Sequence, residues 1–296
     1  MRGVAAGAIF SPSGSLAARV VWRASAADSG ANMPPSSLIV LGGTGLIGSA
    51  VCERFTRDGH AVISVDSKNY ACCVGTEADV LINCNGNSYR YRAGQDPRWD
   101  FDASVLTVEK SLFDFKFGRY IHVSTIDVYN ELGDPARNQE DTPIEPERLH
   151  PYGFHKWLAE RLVQRFAAQP LILRVGTVVG TGMKKGPLLD LLLDHPLPMS
   201  AESELSLIDT ATIAEAVVRF VATTSAHRTI NLTGTGPALL RALCADAGLK
   251  WRLAPGAEQV VYRYNIINAW LRELFPVPTS YEMGSRFLAN ASVKEL

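Results

Sequence analysis

The run SLIVLGGTGLIG, residues 37–48, decides the fold of this chain. Four of its first five residues are apolar and two of them are β-branched, which is typical of a buried strand. A helical pattern then continues to Asp58. A strand, a glycine-rich turn and a helix in this order predict the first unit of a parallel α/β sheet.

The glycines of this turn are spaced for binding a pyrophosphate. Gly42 permits the tight turn, Gly45 lets the backbone approach the ligand, and Gly48 lets the helix pack on the strand. The backbone N–H groups of Leu46 and Ile47 and the helix dipole favour an anion at the same place. The turn therefore predicts a dinucleotide site.

An acidic residue follows the second strand. This strand covers residues 61–65 and ends at Asp66, 18 residues beyond Gly48. The fold expects an acid there to bind the ribose 2′-hydroxyl of the adenosine, and a carboxylate repels a 2′-phosphate. We therefore expect NAD rather than NADP. The next buried strand closes on Asn83, which we also expect at the cofactor.

Hydroxyl groups, a phenol and an ammonium group follow later in the chain. The strand at residues 120–123 stops at Ser124 and Thr125, and ligands of parallel sheets bind at the carboxyl ends of strands. Tyr152 and Lys156 then lie four residues apart on one helix face. We expect the Lys156 cation to lower the pKa of Tyr152 for proton transfer. A surface tyrosine with a lysine one turn later is the alternative.

Composition excludes several classes of function. The 296 residues carry a formal charge of -1, so no basic field attracts nucleic acid. The five cysteines form no CxxC pair, the six histidines are scattered, and we expect no metal site. No apolar run reaches the ~20 residues needed to span a bilayer, so we expect no membrane insertion. Reduced cysteines favour a cytoplasmic location.

The chain divides into three parts. Residues 1–35 carry three arginines and one acid, which suggests an organellar targeting segment, a disordered extension, or a translation start upstream of Met33. We expect an NAD-binding domain over residues 36–174. A smaller substrate-binding part follows over residues 175–296 and is partly interleaved with the sheet.

The order of the motifs resembles the extended short-chain dehydrogenase/reductase family, in its NAD-dependent epimerase/dehydratase branch. The resemblance covers most of residues 37–235 and rests on GGTGLIG, Asp66, VSTIDVY at 123–129, YGFHK at 152–156 and LRVGTVVG at 173–180. It implies a Rossmann-type doubly wound parallel sheet with a small C-terminal substrate-binding part.

The resemblance also implies residue roles. Tyr152 would be the general acid/base, and Lys156 would lower its pKa and hold the nicotinamide ribose. Thr125 would hydrogen-bond the substrate oxygen, with Ser124 as the alternative. Members act on nucleotide sugars and dimerise through two helices, here residues 102–115 and 152–166, so we expect a homodimer. Phe113, Phe115, Trp157 and Leu158 are candidates for its interface.

Two other functions remain open. One is a carbonyl or alcohol dehydrogenase of the same fold acting on a small substrate without a nucleotide. The other is a dinucleotide-binding sensor without turnover, which the intact Thr125, Tyr152 and Lys156 argue against. Because the substrate-binding part is short, the sequence does not decide between the first alternative and an enzyme that acts on a nucleotide sugar.

The sequence departs from the family pattern between its second and third strands. Only residues 67–78 separate Asp66 from Asp79, where the family has a further strand and a crossover helix. At most a short strand at residues 71–74 fits there. Ser104 is the nearest match to an active-site Asn of some members.

Two segments of the C-terminal part carry further expectations. The basic loop at residues 180–187 either meets a diphosphate or is a solvated turn. The apolar periodicity of residues 260–275 predicts an amphipathic helix.

Asp66→Ala tests the selection of NAD. Removing the carboxylate removes its repulsion of a 2′-phosphate, so the variant should prefer NAD over NADP less strongly than the wild-type protein. The measurement is the dissociation constant of each dinucleotide. An unchanged ratio of the two constants would contradict the role of Asp66.

Overall fold

The computed structural model describes residues 36–223 and 228–290, so the predicted extension at residues 1–35 lies outside the described residues. The strands are β1 (Ser37–Leu41), β2 (Ala61–Val65), β3 (Glu77–Asn83), β4 (Lys116–Thr125), β5 (Pro170–Val175), β6 (Thr177–Val179), β7 (Glu204–Leu205), β8 (Leu207–Asp209), β9 (Thr229–Leu232) and β10 (Ala238–Leu239). The helices are α1 (Leu46–Arg57), α2 (Tyr70–Cys73), α3 (Arg90–Gln95), α4 (Pro97–Phe101), α5 (Thr107–Asp114), α6 (Pro151–Phe166), α7 (Pro187–Leu192), α8 (Thr210–Ala222), α9 (Leu240–Asp246), α10 (Ala269–Leu274) and α11 (Ser280–Asn290).

Within the described residues, six strands form one parallel sheet in the order β2-β1-β3-β4-β5-β9. The chain steps outward from β1 to β2 and then continues on the other side of β1 with β3. The strand order therefore reverses between β1 and β3, and ligands of such sheets bind in the crevice at that point. The predicted doubly wound α/β fold is confirmed.

The connection from β2 to β3 is short. Residues 66–76 hold only the single turn α2, so the short strand that residues 71–74 could at most have formed is absent. A strand there would need a second crossing over the sheet, and the segment is too short for one. β2 is consequently the edge strand, and the side chain of Ile63 is exposed.

Two other predicted helices need revision. The helix expected at residues 102–115 begins at Pro97 and contains a π-helical turn at Asp102–Leu106. Phe115 is buried beneath it, so Phe115 does not belong to an exposed face, whereas Phe113 is 61% exposed. The helix expected at residues 260–275 is wrong except for α10.

Tertiary hydrogen bonds explain the second revision. Residues around 262–264 run extended, because the backbone N–H of Tyr262 donates to Ser203 Oγ and that of Tyr264 to the Glu204 carbonyl. These bonds hold the segment against β7 and override its helical periodicity. None of the helices in the described part of the chain has the length and apolarity needed to cross a bilayer.

A buried ion pair joins α6 to the sheet. Glu160 on α6 and Arg174 on β5 have almost no exposed side-chain surface. Glu160 Oε1 accepts hydrogen bonds from Ser124 Oγ at 2.6 Å and from Arg174 Nε at 3.1 Å, and Oε2 accepts from Arg174 Nη2 at 2.8 Å. The Arg174 guanidinium also lies 4.8 Å from the centre of the Tyr129 ring.

The same network reaches the C-terminal part. The Tyr129 hydroxyl donates to Asn231 Oδ1 at 2.7 Å, and Asn231 Nδ2 donates to the carbonyls of Asn138 and Ile267 at 2.8 Å each. Strands β4, β5 and β9, helix α6 and two loops are thereby held together at the carboxyl edge of the sheet.

Glu160→Gln tests the importance of this network for stability. The variant leaves the buried Arg174 cation without its carboxylate, and breaking a buried pair in this way costs about 3–5 kcal/mol. Chemical denaturation measures the change in unfolding free energy. Glu53→Gln is the matched control, because Glu53 forms an exposed pair with Arg57 that contributes little. Equal losses in the two variants would contradict the prediction.

Candidate active site

The glycine turn has the geometry of a backbone cradle. Gly42 has a φ of +71°, and a Cβ atom on it would lie 2.7 Å from Asn85 Oδ1. A Cβ on Gly48 would lie 2.2 Å from the Gly42 carbonyl oxygen. Glycine is therefore required at both positions. No side chain caps α1, so the backbone N–H groups of its first turn are left for an anionic ligand.

Asp66 lies beside this cradle. Its Oδ2 accepts a hydrogen bond from Thr44 Oγ1 at 3.4 Å, and its Oδ1 accepts from the Lys68 backbone N–H at 2.8 Å. The backbone N–H of Gly42 donates to the Val65 carbonyl at 2.7 Å, which fixes the end of β2 next to the turn. The structure thus brings the predicted acid and the predicted phosphate cradle together.

Asn83 is placed differently from the other predicted cofactor residues. Its side chain is fully buried, and Nδ2 donates to the Tyr120 hydroxyl at 2.7 Å. Its Oδ1 accepts from the Asn85 backbone N–H at 2.9 Å. Asn83 therefore supports the turn after β3, and both polar groups of its side chain form hydrogen bonds within the protein.

The start of α6 packs closely on the end of β4. His150 caps the helix through Nδ1, which accepts from the Gly153 backbone N–H at 3.4 Å. A Cβ on Gly153 would lie 2.3 Å from the Asp127 carbonyl oxygen, so only glycine allows this approach. The approach brings Tyr152 close to Thr125, whose hydroxyl acts to lower the pKa of the Tyr152 phenol.

Lys156 lies one helical turn further into the protein. Its Nζ donates to the Val123 carbonyl at 2.8 Å, and a Cβ on Gly86 would lie 3.4 Å from Nζ. Burial lowers the pKa of Lys156 to about 8, while Glu160 and Asp100 act to raise it. The group is therefore still a cation at neutral pH, at the point where β3 and β4 end.

The pKa of Tyr152 is raised in the chain by itself, and the lowering expected from Lys156 together with the nicotinamide ring stays a prediction. Burial raises the pKa of Tyr152 well above its ordinary value, and the carboxylates of Asp127 and Asp100 raise it further. The Thr125 hydroxyl and the Arg90 cation act in the opposite direction and are outweighed. Tyr152 is thus held as a neutral phenol.

Ser124 is not brought to this group. Side chains alternate along a strand, and Ser124 Oγ donates to Glu160 Oε1 in the buried network. Thr125 is therefore the hydroxyl residue that meets Tyr152. Ser104, the residue nearest to the family's Asn, donates to Asp100 Oδ1 at 3.2 Å and is buried.

Sequence reasoning missed an ion pair beside Tyr152. Asp127 Oδ1 lies 3.1 Å from Arg90 Nη1, and Asp127 Oδ2 accepts from Thr125 Oγ1 at 3.3 Å. Arg90 Nη1 also donates to the Tyr264 hydroxyl at 2.5 Å. Asp127 could have been found from its place two residues after Thr125. Arg90 gives no local signal, because its partners are distant in the sequence.

The basic loop contributes one cation to the same region. Lys185 Nζ lies 4.1 Å from the centre of the Tyr89 ring, next to Arg90 in the chain. Burial lowers the pKa of Lys185 to about 8. The loop is therefore packed on an aromatic side chain, and the description as a solvated turn does not fit Lys185.

A profile of the NAD dependent epimerase/dehydratase family matches residues 38–95 and 78–191, which together span more than half of the chain. The chain belongs to this family. The assignment confirms the resemblance and the NAD cofactor expected from Asp66 and the glycine turn. No curated protein matches the sequence significantly.

Solved structures share the fold of this family member. A UDP-galactose 4-epimerase has a TM-score of 0.69 at 20% identity, covering 85% of this chain and 97% of that one. A UDP-glucuronic acid 4-epimerase from Bacillus cereus, with a UDP-sugar and NAD, has a TM-score of 0.70 at 16% identity, covering 86% and 98%. A dTDP-4-dehydrorhamnose reductase from Bacillus anthracis, with NADP, has a TM-score of 0.68 at 15% identity, covering 88% and 100%. At these identities the likeness concerns the fold.

The lowered pKa of Lys156 predicts a pH-dependent stability. Between about pH 8 and the ordinary lysine value of 10.5, the unfolded chain holds a proton that the folded chain does not. The wild-type protein should therefore gain stability over Lys156→Met as pH rises through this range, by up to about 1.4 kcal/mol per unit. Below pH 8 the difference should be constant.

Urea denaturation at pH 7 and pH 9.5 measures this effect. Lys110→Met is the matched control, since Lys110 is exposed and should give the same difference from wild type at both values. A difference for Lys156→Met that does not change with pH would show that burial leaves the Lys156 ammonium unperturbed.

Proposed function

We propose that this family member is an NAD-dependent enzyme that oxidises or reduces a carbon of a nucleotide sugar, in an epimerase, dehydratase or reductase reaction. The observation that carries the proposal is the position of Tyr152 at the start of α6 beside Thr125 at the end of β4, with the Lys156 ammonium one helical turn further on, bound to the Val123 carbonyl. A binding sensor would need no such proton-transfer group.

The cofactor would be held by residues of the first two strand ends. The backbone cradle of Gly42 to Gly48, with the N–H groups of Leu46 and Ile47, suits the pyrophosphate. Asp66 suits the adenosine ribose, and Lys156 suits the nicotinamide ribose. When bound, NAD supplies the acceptor or donor of a hydride.

The chain's own residues would move the proton. Tyr152 exchanges a proton with the substrate oxygen whose carbon gains or loses the hydride, and Thr125 orients that oxygen by a hydrogen bond. The raised pKa keeps Tyr152 protonated at rest. A resting phenol is ready to donate its proton, which suits a keto substrate.

This protonation state supports the second candidate, a carbonyl reductase of the same fold with a small substrate. A reductase needs Tyr152 as a phenol at the start, whereas oxidation of an alcohol needs a phenolate.

The domain boundary near residue 174 and the homodimer also remain proposals. An exposed edge-to-face contact of Phe113 and Phe166, with ring centres 5.3 Å apart, supports a second copy at that face.

A thermal-shift screen of nucleotide sugars with NAD present would identify the substrate, because a ligand of the folded state stabilises it by mass action. Small ketones with NADH form the second arm of the screen. Turnover is then followed by NADH absorbance, or by product analysis where the cofactor is regenerated.

Tyr152→Phe tests the acid/base role. The variant keeps the ring and loses the exchangeable proton, so kcat should fall by roughly 10² or more while NAD affinity stays nearly unchanged. Tyr91→Phe is the matched control, because Tyr91 is 66% exposed and should keep full activity. Unchanged turnover in Tyr152→Phe would refute the role.

A further inference from the structure

Arg90 is a partly exposed cation close to Tyr152. Its side chain is 39% exposed, and its positive charge acts to lower the pKa of Tyr152. Nη1 is engaged by Asp127 and by the Tyr264 hydroxyl. Within the described residues, Nε and Nη2 of Arg90 have no hydrogen-bond partner. Half of the guanidinium fork is therefore left for a ligand.

The surroundings of Arg90 favour a negatively charged ligand. Lys185 approaches from the loop after β6 and lies against the Tyr89 ring, and no carboxylate is paired with it in the described chain. Arg90 itself lies 5.8 Å from the centre of the Tyr262 ring. Arg90 is thus paired with one carboxylate, that of Asp127, while Lys185 lies at the neighbouring residue Tyr89 without a carboxylate partner in the described chain. The Asp100 carboxylate is engaged by Asn87 and His155.

Arg90 is held in place by a buried network. Asp100 is fully buried, its Oδ1 accepts from Asn87 Nδ2 at 2.7 Å, and its Oδ2 lies 2.6 Å from His155 Nδ1. Asn87 Oδ1 in turn accepts from the Tyr89 backbone N–H at 2.5 Å. The segment that carries Arg90 is therefore fixed to α6 beside the Tyr152–Lys156 pair, so Arg90 is preorganised.

We propose that Arg90 determines substrate specificity by binding an oxyanion, a carboxylate or a phosphate, carried by the substrate close to its reacting carbon, with Lys185 assisting. The proposal rests on the proposed function, because the same cleft must hold the reacting carbon at Tyr152. The free Nε and Nη2 present two parallel N–H donors, which match two oxygens of an oxyanion. Asp127, which pairs with Nη1, competes with the ligand for the positive charge of the guanidinium.

The competition gives opposite expectations for two variants. Arg90→Gln removes the donor fork, so binding of an anionic ligand should weaken about 10- to 100-fold, the range for hydrogen bonds to charged groups. Asp127→Asn removes the competing charge, so the same binding should tighten. Ligands without the anionic group should bind with little change in either variant.

The probes are two matched pairs, measured by isothermal titration with NADH present. UDP-glucuronic acid and UDP-glucose differ by a carboxylate, and glucose 6-phosphate and glucose differ by a phosphate. In the wild-type protein we expect the anionic member of one pair to bind at least tenfold more tightly, and the responding pair identifies the anion. Arg90→Gln should abolish this ratio, and Arg90→Lys should retain part of it because it keeps the charge without the fork.

Arg92→Gln is the matched control for loss of charge. Arg92 lies on the same short helix, but its guanidinium stacks on the Trp99 ring at 3.7 Å. It should keep the wild-type ratio. A wild-type protein without an anion preference in either pair, or an Arg90→Gln variant that keeps the preference, would overturn the proposal.

Tyr152→Phe separates this proposal from the proposed function. If both are right, Tyr152→Phe loses turnover and keeps the anion preference. If Tyr152→Phe keeps turnover while Arg90→Gln loses the preference, the acid/base assignment fails and the specificity role of Arg90 stands.

Discussion

The buried ion pair between Glu160 and Arg174 is the constraint on which the site depends. Tyr152 and Lys156 lie on the same helix as Glu160, and Thr125 and Val123, which they approach, lie on β4. The helix can present them only if it is fixed along the strand, and the bonds from Ser124 and Arg174 to Glu160 do this. Burying two charges costs free energy that only good geometry returns. A slipped helix would break these bonds, so the pair specifies one position.

The cofactor end of the sheet is built on a separate constraint, the backbone of the glycine turn. Gly42 and Gly48 leave no room for a Cβ, so the turn has one shape whatever follows it. The turn therefore has this shape although residues 66–76, between β2 and β3, hold only the single turn α2. The missing outer strand would lie beyond β2, and its loss removes neither Asp66 nor the turn. The sheet therefore ends at β2, while Asp66 and the glycine turn stay at the carboxyl ends of β2 and β1.

The sequence was sufficient for features that are local or that recur in order. The glycine turn, β1, β2, α6 and the spacing of Tyr152 and Lys156 are written in short runs of residues, and the structure has them. The helix expected at residues 260–275 was wrong because backbone bonds to residues 203 and 204 hold it extended. Ser124 was left open because the sequence does not show that Glu160 and Arg174 claim its hydroxyl. Arg90 was missed because Asp127 and Tyr264 reach it only through the fold.

Asp127 links proton transfer to recognition. Its carboxylate raises the pKa of Tyr152 and also pairs with Arg90, so the phenol and the guanidinium share one negative charge. An oxyanion on Nε and Nη2 of Arg90 would neutralise part of the guanidinium charge, leaving the Asp127 carboxylate less compensated. Because an uncompensated carboxylate disfavours a phenolate nearby, Tyr152 would be held still more firmly as a proton donor. A charged substrate would therefore favour reduction of a carbonyl, whereas a neutral substrate would leave the Arg90 cation to stabilise the phenolate that oxidation of an alcohol requires.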